Sequence, residues 1–349
     1  MSEKPLTVAV TGLNATDNPA PGVAVVRALR DAFPKARIVG LAYDALDPGI
    51  YATELLHEVF MLPYPSQGLT AFWSRLEYVH SKVGIDVIIP TLDAELPAFL
   101  DLEPKLRNLG IRTLLPTREQ FTLREKGRLP QLGQLSGISV PATATVNTIE
   151  ELNRVHQRVP YPMFVKGLYY GATLAHSLDE ATHAFYKVVA QWGIPVVVQT
   201  LISGEEFNVV ALGDGEGGLV GAVGMKKLML TDKGKGWAGI TVRDPALLDV
   251  PRKFMAATKW RGPCEIELMR DKNGEYHLIE INPRFPAWVY LSAGAGMNLP
   301  QACVELAMGK KTSIASDYQV GTLFVRIAID QIARIEDFQN MVTTGEVSR

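Results

Sequence analysis

The stretch Leu278-Ile279-Glu280-Ile281-Asn282-Pro283-Arg284-Phe285 alternates apolar and polar residues in the manner of a half-buried β-strand. Alternate side chains of a strand share a face, so Glu280, Asn282 and Arg284 are predicted to point the same way. The order of these residues makes the stretch the most informative part of the chain. It places two hydrogen-bonding or metal-binding groups and one fixed cation on a single strand.

A hairpin is predicted to bring a further carboxylate to this face. Residues 261–270 form a second strand-like run, and Asp271-Lys272-Asn273-Gly274 between the two runs carries the Asn-Gly signal of a tight turn. Glu267 on the first strand can then join Glu280 and Asn282 as a set of hard oxygen ligands suited to magnesium. The alternative is a solvated hairpin face with an ordinary cross-strand ion pair.

The first third of the chain alternates short β-branched runs with helical patterns, which is typical of a parallel sheet with covering helices. The predicted elements are strands at 6–11, 37–42, 59–62, 86–90 and 111–114, and helices at 22–33, 69–83 and 95–109. They predict a doubly wound α/β domain over residues 1–116. The loop after the first strand lacks the glycine spacing of a dinucleotide-binding turn, which argues against a Rossmann dehydrogenase.

The second part, residues 117–311, reads as α+β. It opens with a helical, basic stretch and continues into a small α/β unit over about residues 140–198 that has the size of a hinged lid. The elements predicted from there on are helices at 149–158 and 178–191 and strands at 163–166, 195–199, 206–212 and 219–227. Residues 312–349 are predicted to form one strand at 320–329 and one closing helix that pack on the core.

Composition excludes several classes of protein. Of 349 residues, 35 are Lys or Arg and 37 are Asp or Glu, so the net charge of -2 provides no global field for nucleic acid or an anionic membrane. The two cysteines, Cys264 and Cys303, cannot build a disulfide framework or a zinc site. The chain lacks a signal-peptide pattern and any run of about 18 apolar residues, so a cytoplasmic location is predicted. A homodimer is left open.

Four matches in one order carry a resemblance to a known superfamily. Lys126 stands in Arg124-Glu125-Lys126-Gly127-Arg128-Leu129, and Lys166 ends the strand at 162–166. Residues 197–209 follow as a linker and strand, and the Glu-Ile-Asn-Pro-Arg stretch closes the set. In this order the chain resembles the ATP-grasp superfamily, and more closely its carbamoyl-phosphate-synthetase-like and amino-acid-ligase-like branches, over most of residues 5–310.

The resemblance implies a pre-ATP-grasp domain, an ATP-grasp fold with a hinged lid, and a set of ligand contacts. ATP would lie between the two halves with one or two Mg²⁺ ions, for which Mn²⁺ can substitute. The implied contacts are Gln199, Thr200, Leu201 and Ile202 for the adenine, Glu206 for the ribose, Lys126 and Lys166 for the phosphates, Glu267, Glu280 and Asn282 for the metal, and Arg284 and Lys226 for the transferring group.

The function that the resemblance implies is an ADP-forming carboxylate-amine ligase. Such an enzyme converts a small carboxylate into an acyl phosphate and passes the acyl group to an amine of an amino-acid or peptide-like acceptor. Two alternatives remain open. One is bicarbonate activation, as in a carbamoyl phosphate synthetase, and the other is a non-catalytic ATP-binding regulatory or scaffold protein.

One departure concerns the segment after Lys166. Many members of the superfamily carry a glycine-rich, serine-containing loop there, whereas this chain has the short aromatic run 167–173. Met225-Lys226-Lys227, Lys233 and Lys235 supply nearby cations that could compensate. For Lys233 and Lys235, solvated loop charges are an equal alternative.

The sequence does not name the substrates, but it offers candidate specificity elements. The loop at 14–22 and the pair Asp93 and Glu95 follow predicted strands, where ligands of α/β sheets bind. Helix capping by Asp93 is an equal alternative. Trp288 and Tyr290 could line an acceptor pocket, although packing in the core is favoured for both.

Overall fold

The N-terminal part of the chain builds a five-stranded sheet. The computed structural model describes residues 4–15, 18–167, 171–232 and 234–348. Four strands of this sheet run parallel, and a C-terminal strand joins its edge antiparallel, in the order β15-β3-β2-β1-β4. The strands are β1 (Thr7–Val10), β2 (Arg37–Ala42), β3 (Glu58–Met61), β4 (Val87–Ile89) and β15 (Glu346–Ser348). The helices are α1 (Pro21–Ala32), α2 (Leu69–Val83) and α3 (Leu96–Asn108), with 3₁₀ turns at Pro48–Tyr51 and Pro65–Gln67.

The pattern of apolar residues explains these elements. β1 is buried along its whole length, as expected for a strand covered by helices on both faces. α1 begins with Pro21 in its first turn, where a missing N–H costs no helical hydrogen bond, and buries Val25, Val26 and Leu29 against the sheet. The prediction of a strand at residues 111–114 is wrong, because within the described residues this segment makes only a single bridge, between Arg112 and Val87. It leaves the sheet too soon to form a ladder.

A six-stranded antiparallel sheet forms the centre of the molecule. Its order is β13-β12-β9-β10-β11-β14. The strands are β9 (Gly204–Asp214), β10 (Leu219–Leu230), β11 (Gly236–Thr241), β12 (Arg261–Asp271), β13 (Tyr276–Asn282) and β14 (Leu323–Val325). The predicted hairpin is therefore present, and Gly274 in its turn has φ 84°, which glycine adopts without strain.

The helices outside the N-terminal and small sheets precede, connect or follow the strands of this central sheet along the chain. They are α4 (Arg118–Leu123), α5 (Leu129–Ser136), α8 (Pro245–Thr258), α9 (Tyr290–Gly294), α10 (Leu299–Ala307) and α11 (Ile335–Thr343), with a 3₁₀ turn at Lys126–Arg128. α5 and α8 pack on the outer face through a core that contains Phe254 and Trp260. The inner face contributes Val210 and Val223 to a core shared with the N-terminal sheet. The two large sheets are therefore joined through one apolar layer.

A third sheet has four antiparallel strands in the order β5-β8-β6-β7. Its elements are β5 (Thr143–Val146), α6 (Ile149–Val155), β6 (Met163–Lys166), β7 (Ala172–Ala175), α7 (Leu178–Trp192) and β8 (Val196–Thr200). It has a separate apolar core, in which Phe185 of α7 packs against the strands. Residues 201–203 then lead directly into β9, so this segment attaches the small sheet to the central sheet.

The C-terminal part differs from the sequence prediction. Only Leu323–Val325 of the predicted strand at 320–329 pairs with the central sheet, because the residues that follow leave its edge. The closing helix is present as α11, and the strand after it, β15, was not predicted. Within the described residues, no helix combines the length and the apolar character needed to cross a membrane.

Candidate active site

Acidic side chains of β12 and β13 meet on the inner face of the central sheet. Glu267 lies directly opposite Glu280, and Glu265 lies directly opposite Asn282. Like charges at directly opposed positions destabilise a sheet unless a cation lies between them. Burial and the Glu267 charge raise the pKa of Glu280, and the Lys126 ammonium opposes that shift. The predicted arrangement of Glu267, Glu280 and Asn282 on one face is therefore present.

Asn282 connects the carboxylates of this cluster. Its Nδ2 group donates to Glu265 Oε2 at 3.1 Å and to Glu267 Oε1 at 2.9 Å. Both amide hydrogens are thereby used, which leaves the carbonyl oxygen as an acceptor. A carbonyl oxygen beside two carboxylates is a hard donor set that fits Mg²⁺. On this ground Glu267, Glu280 and Asn282 fit a divalent cation.

Glu265 is a member of the cluster that the sequence analysis missed. Its side chain is buried and accepts hydrogen bonds from Asn208 Nδ2 at 2.6 Å and Trp288 Nε1 at 2.7 Å. Trp288 lies in the core, as favoured, and orients this carboxylate. The signal was available, because Glu265 and Glu267 alternate along one strand and so share a face.

Arg284 lies where the central sheet meets the N-terminal sheet. Its Nε donates to Asp93 Oδ2 at 2.7 Å, and its Nη1 lies 3.5 Å from Glu265 Oε2. Burial alone would lower the pKa of Arg284, but the carboxylates of Asp93 and Glu265 raise it. Arg124 Nη1 lies 3.9 Å from Asp93 Oδ1. Arg284 is therefore a permanently charged group held in a fixed orientation.

Two lysines approach the cluster from the side of the small sheet. Lys126 Nζ lies 3.5 Å from Glu280 Oε1. Lys166, the last residue of β6, donates from Nζ to Gln199 Oε1 at 2.6 Å. Burial lowers the pKa of Lys166 to about 8, a shift opposed by the charge of Glu280 and reinforced by that of Lys126. An anion bound beside Lys166 would raise this pKa again.

Neighbouring lysines of β10 point to opposite faces of the sheet. Lys227 Nζ lies 2.8 Å from Glu206 Oε2 and 3.8 Å from Glu267 Oε2, and its side chain is buried. Lys226 instead pairs with Glu205 at 2.5 Å on the other face. The structure therefore brings Lys227 to the carboxylate cluster and leaves Lys226, which the sequence analysis had selected, outside it.

The linker between β8 and β9 lies beside this cluster. The N–H groups of Thr200 and Leu201 donate to Ala142 and Pro162 carbonyls, both at 2.9 Å. Ile202 was also predicted to contact the adenine, and its N–H group has no protein acceptor within the described residues. Gln199 is buried, and its Oε1 atom accepts the hydrogen bond from Lys166 Nζ.

Several buried polar atoms around the cluster have no hydrogen-bond partner within the described part of the chain. They are Thr200 Oγ1, Asn208 Oδ1, Arg124 Nε, and both Nε and Nη1 of Arg326. A buried polar atom without a partner costs about 1–3 kcal/mol, and the described residues also contain such atoms elsewhere, in His80, Tyr161 and His277. The atoms beside the carboxylates and lysines differ from these because charged groups surround them, which suits a polar, charged ligand.

The C-terminal edge of the N-terminal sheet closes one end of this region. Glu95 is fully buried and accepts from the Thr11 and Tyr43 hydroxyls and from the Thr91 and Leu92 N–H groups. Asp93 binds Arg284, and no hydrogen bond from its side chain to α3 occurs within the described residues.

Some predicted elements lie elsewhere. The Tyr290 hydroxyl donates to Asp31 at 2.9 Å, so this ring packs on α1. Residues 16–17 of the loop at 14–22, residues 168–170 of the loop at 167–173, and Lys233 are outside the described residues.

Comparison with known proteins adds independent information. The model of a family described as "ATP-grasp in the biosynthetic pathway with Ter operon" matches residues 194–327, which contain β8 to β14. The carbamoyl phosphate synthase large chain of Clostridium beijerinckii is 25% identical over 221 residues, which cover 59% of this chain and 20% of the relative. Phosphoribosylamine–glycine ligase of a Synechocystis strain is 28% identical over 227 residues, covering 58% and 53%. The chain thus spans a fifth to about half of the length of these relatives.

A solved structure extends the similarity over nearly the whole chain. The biotin carboxylase domain of 2-oxoglutarate carboxylase from Hydrogenobacter thermophilus, a dimer in complex with MgADP, ADP and bicarbonate, superimposes with a TM-score of 0.69. The match has 16% identity and covers 91% of this chain and 73% of that one. At this identity the likeness shows a common fold.

Proposed function

We propose that this chain, which belongs to the ATP-grasp superfamily, is a magnesium-dependent ligase that uses ATP to activate a carboxylate and transfers the acyl group to an amine. The observation that carries the proposal is the opposition of Glu267 and Glu280 beside Asn282, with Lys126 and Lys227 at the same cluster. Two opposed carboxylates with a lysine beside each of them suit a metal-bound polyphosphate.

Each residue would have a distinct part in binding the nucleotide. Glu267, Glu280 and the Asn282 carbonyl oxygen would hold Mg²⁺, which neutralises phosphate charge when it is bound. Lys126 and Lys166 would contact phosphate oxygens. The Ile202 N–H and the Thr200 hydroxyl would form hydrogen bonds with the adenine. Neither group has a protein partner among the described residues.

Glu206 has a more restricted part in this scheme. It would reach the ribose hydroxyls through the carboxylate oxygen that Lys227 does not hold. Lys227, rather than Lys226, would take the place near the transferring group, since only Lys227 faces the cluster.

The reaction then requires positioning and neutralisation of charge more than acid-base chemistry. A carboxylate oxygen attacks the γ-phosphorus, the bond to the β–γ bridging oxygen breaks, and ADP and an acyl phosphate result. An amine attacks the acyl carbon, phosphate leaves with the carbon–oxygen bonding pair, and the amine loses a proton. Arg284, fixed by Asp93 and Glu265, would stabilise the negative charge of the transferring phosphoryl group.

The small four-stranded sheet is proposed to act as a lid over this site. It carries Lys166 and Gln199 and is joined to the central sheet through residues 201–203. Closure would exclude water, which would otherwise hydrolyse the acyl phosphate.

The proposal is tested by ADP release. The purified chain is incubated with MgATP and a panel of amino acids, short peptides, organic acids and bicarbonate, with and without hydroxylamine. We expect ADP formation that depends on one carboxylate of the panel, and a hydroxamate when hydroxylamine replaces the amine. Binding of MgATP with neither ADP nor hydroxamate across the panel would instead favour a non-catalytic nucleotide-binding protein.

A further inference from the structure

The central sheet ends in β14, and this edge strand is both apolar and exposed. Within the described residues, β14 pairs with β11 on one side and with no strand on the other. Leu323 and Val325 keep 53% and 62% of their surface exposed. Sheet edges are usually protected by charges, by proline or by a covering segment, because they are templates for another strand. The opposite edge follows that rule, since the Leu278 N–H of β13 donates to the Ser139 carbonyl at 2.8 Å.

The backbone of β14 has hydrogen-bonding capacity left at its open edge. The Arg326 N–H donates to the Trp237 carbonyl at 3.0 Å, so the backbone groups of Arg326 point toward β11. Successive residues of a strand direct their N–H and C=O groups to opposite sides. Those of Val325 therefore point away from β11. An added strand can form a ladder with β14 and leave the pairing between β14 and β11 intact.

Apolar side chains surround this edge. Val325 lies opposite Ala238, and Ala238 lies opposite Met229 of β10, so the three share one face of the sheet. Met229 is 58% exposed. Large apolar side chains that are at least 47% exposed continue along residues 320–335, and they are Val320, Leu323, Val325, Ile327, Ile329, Ile332 and Ile335. The described residues leave this apolar surface uncovered.

The size of the surface matches one half of a dimer interface. Full burial of a Val, Leu or Ile side chain removes roughly 100 Å² from water. The seven side chains of residues 320–335 are 47% to 90% exposed, so together they present roughly 450 Å² of apolar surface. A standard interface buries about 800 Å² per partner, of which about 450–520 Å² is apolar. The segment therefore supplies the apolar area that a stable dimer needs.

We propose that two copies of this chain associate through β14, which pairs antiparallel with the same strand of the second copy across a twofold axis at Val325. Residues whose backbone groups point to the open edge must meet there, which places Val325 opposite Val325 of the partner subunit. Leu323 then lies opposite Ile327 of the partner subunit, and Phe324 lies opposite Arg326 of the partner subunit.

This register makes the strand complementary to itself. One face brings together apolar side chains alone, and the other brings an aromatic ring to a guanidinium, so no like charges oppose each other. An axis at Arg326 would instead bring two guanidinium groups together. It would also oppose residues whose backbone groups are already used by β11. Self-complementarity is what a twofold interface requires, and it favours a second copy as the partner.

The association is tested by sedimentation equilibrium of the purified chain from micromolar to submillimolar concentration, where we expect a reversible dimer. Val325→Asp places two carboxylates opposite each other at the axis and should weaken the dimer by about tenfold or more. Val325→Pro removes an N–H that β11 does not use, so it should block the added strand as well. The matched control is Leu46→Asp, which changes a leucine that is 73% exposed outside this surface and should associate like the wild type.

Disulfide formation tests the register separately. Hydrogen-bonded residues that oppose each other in antiparallel strands have Cα atoms about 5.5 Å apart, which is within reach of a disulfide. Val325→Cys should therefore cross-link two copies under mild oxidation. In Ile327→Cys the two new thiols would lie roughly 13 Å apart along the strands, so this variant should remain uncross-linked. The native Cys264 and Cys303 are buried and provide a low background.

Each result supports or overturns the inference, and none depends on the proposed ligase function. A wild type that stays monomeric over the whole range overturns it, as does a dimer that Val325→Asp and Val325→Pro leave unchanged. Association that grows beyond a dimer overturns the twofold arrangement, and equal cross-linking of Val325→Cys and Ile327→Cys overturns the register. Circular dichroism shows which variants are folded. If Val325→Asp is not, Val325→Pro and the two cysteine variants decide.

Discussion

Buried Glu95 and the half-buried pair Glu267 and Glu280 differ in how the protein satisfies their carboxylates. Glu95, at the edge of the N-terminal sheet, accepts four hydrogen bonds, all from neutral hydroxyl or backbone donors. On the central sheet, Glu267 and Glu280 oppose each other and are approached by lysines at 3.8 Å and 3.5 Å. The protein supplies donors for both oxygens of Glu95. Glu267 and Glu280 keep negative charge and oxygen atoms that can still accept a hydrogen bond or bind a cation.

The difference separates architecture from function. A carboxylate whose donors all come from the fold ties strands together and has no capacity for a ligand. Opposed carboxylates reduce the stability of the sheet that carries them, so they persist where a bound cation or substrate offsets the cost. The comparison predicts that changes in the Glu95 group alter stability and that changes in the Glu280 group alter activity.

The largest effect is expected for Glu280→Gln. Loss of one preorganised electrostatic contact at the reacting group lowers rates by about a hundred- to a thousandfold, so magnesium-dependent ADP release should fall by that amount. Stability to urea should stay equal or rise slightly, because Glu267 loses a like charge opposite it. Steady-state ADP release and urea unfolding measure the two effects.

The control for this change is Glu205→Gln, which removes an exposed carboxylate from the other face of the same sheet. It should leave turnover intact. Unchanged turnover in Glu280→Gln would remove Glu280 from the metal site.

Glu95→Gln is expected to show the reverse pattern. Gln offers one acceptor oxygen to four donors, so the free energy of unfolding should fall by about 2 kcal/mol, with MgADP affinity retained. Urea denaturation and calorimetry measure these quantities, and Glu77→Gln on the exposed face of α2 is the matched control. A Glu95→Gln protein that keeps full stability and loses nucleotide binding would contradict the comparison.

The sequence predicted the hairpin of the candidate site better than the edges of the sheets. Residues 261–282 obey a period of two with an Asn-Gly turn, and both signals are local. Residues 320–329 also alternate, but only Leu323–Val325 find a partner strand, and that depends on where β11 ends. β15 pairs with a strand almost 290 positions earlier in the chain, a contact that no local pattern encodes.

Within the candidate site, too, local sequence patterns predict some residues and not others. Glu280, Asn282 and Arg284 follow from the alternation along one strand. Lys226 and Lys227 are adjacent, and nothing in the sequence says which of them faces the cleft. That assignment needs the register of β10 against β9, where Lys226 opposes Phe207 of the outer core.

Lys226 and Lys227 are neighbours on opposite faces of β10, so their replacement tests the register directly. Lys227→Met should weaken MgADP binding by about tenfold, the equivalent of one charge-assisted contact, and Lys226→Met should leave it unchanged. Calorimetric titration of the two variants makes a matched comparison of neighbouring residues. Equal losses in both would show that only the general positive charge of the strand matters, and would weaken the distinction between the two faces.

The smallest effect concerns pH. Burial lowers the pKa of Lys166 to about 8, so the free protein loses this charge as pH rises through that value. Phosphate oxygens bind the ammonium form and not the amine, and their own ionisation is complete below this range. MgADP affinity should therefore fall about fourfold between pH 7 and 8.5, with proton uptake on binding at the higher pH.

Lys166→Arg separates this effect from other titrations, because a guanidinium stays charged across the whole range. Its MgADP affinity should be nearly independent of pH between 7 and 8.5, whatever its absolute value. Calorimetry in two buffers of different ionisation enthalpy measures both the affinity and the proton uptake. If Lys166→Arg keeps the slope of the wild type, the titrating group is elsewhere, and the amide contact with Gln199 would then hold Lys166 as part of the architecture, as the neutral donors hold Glu95.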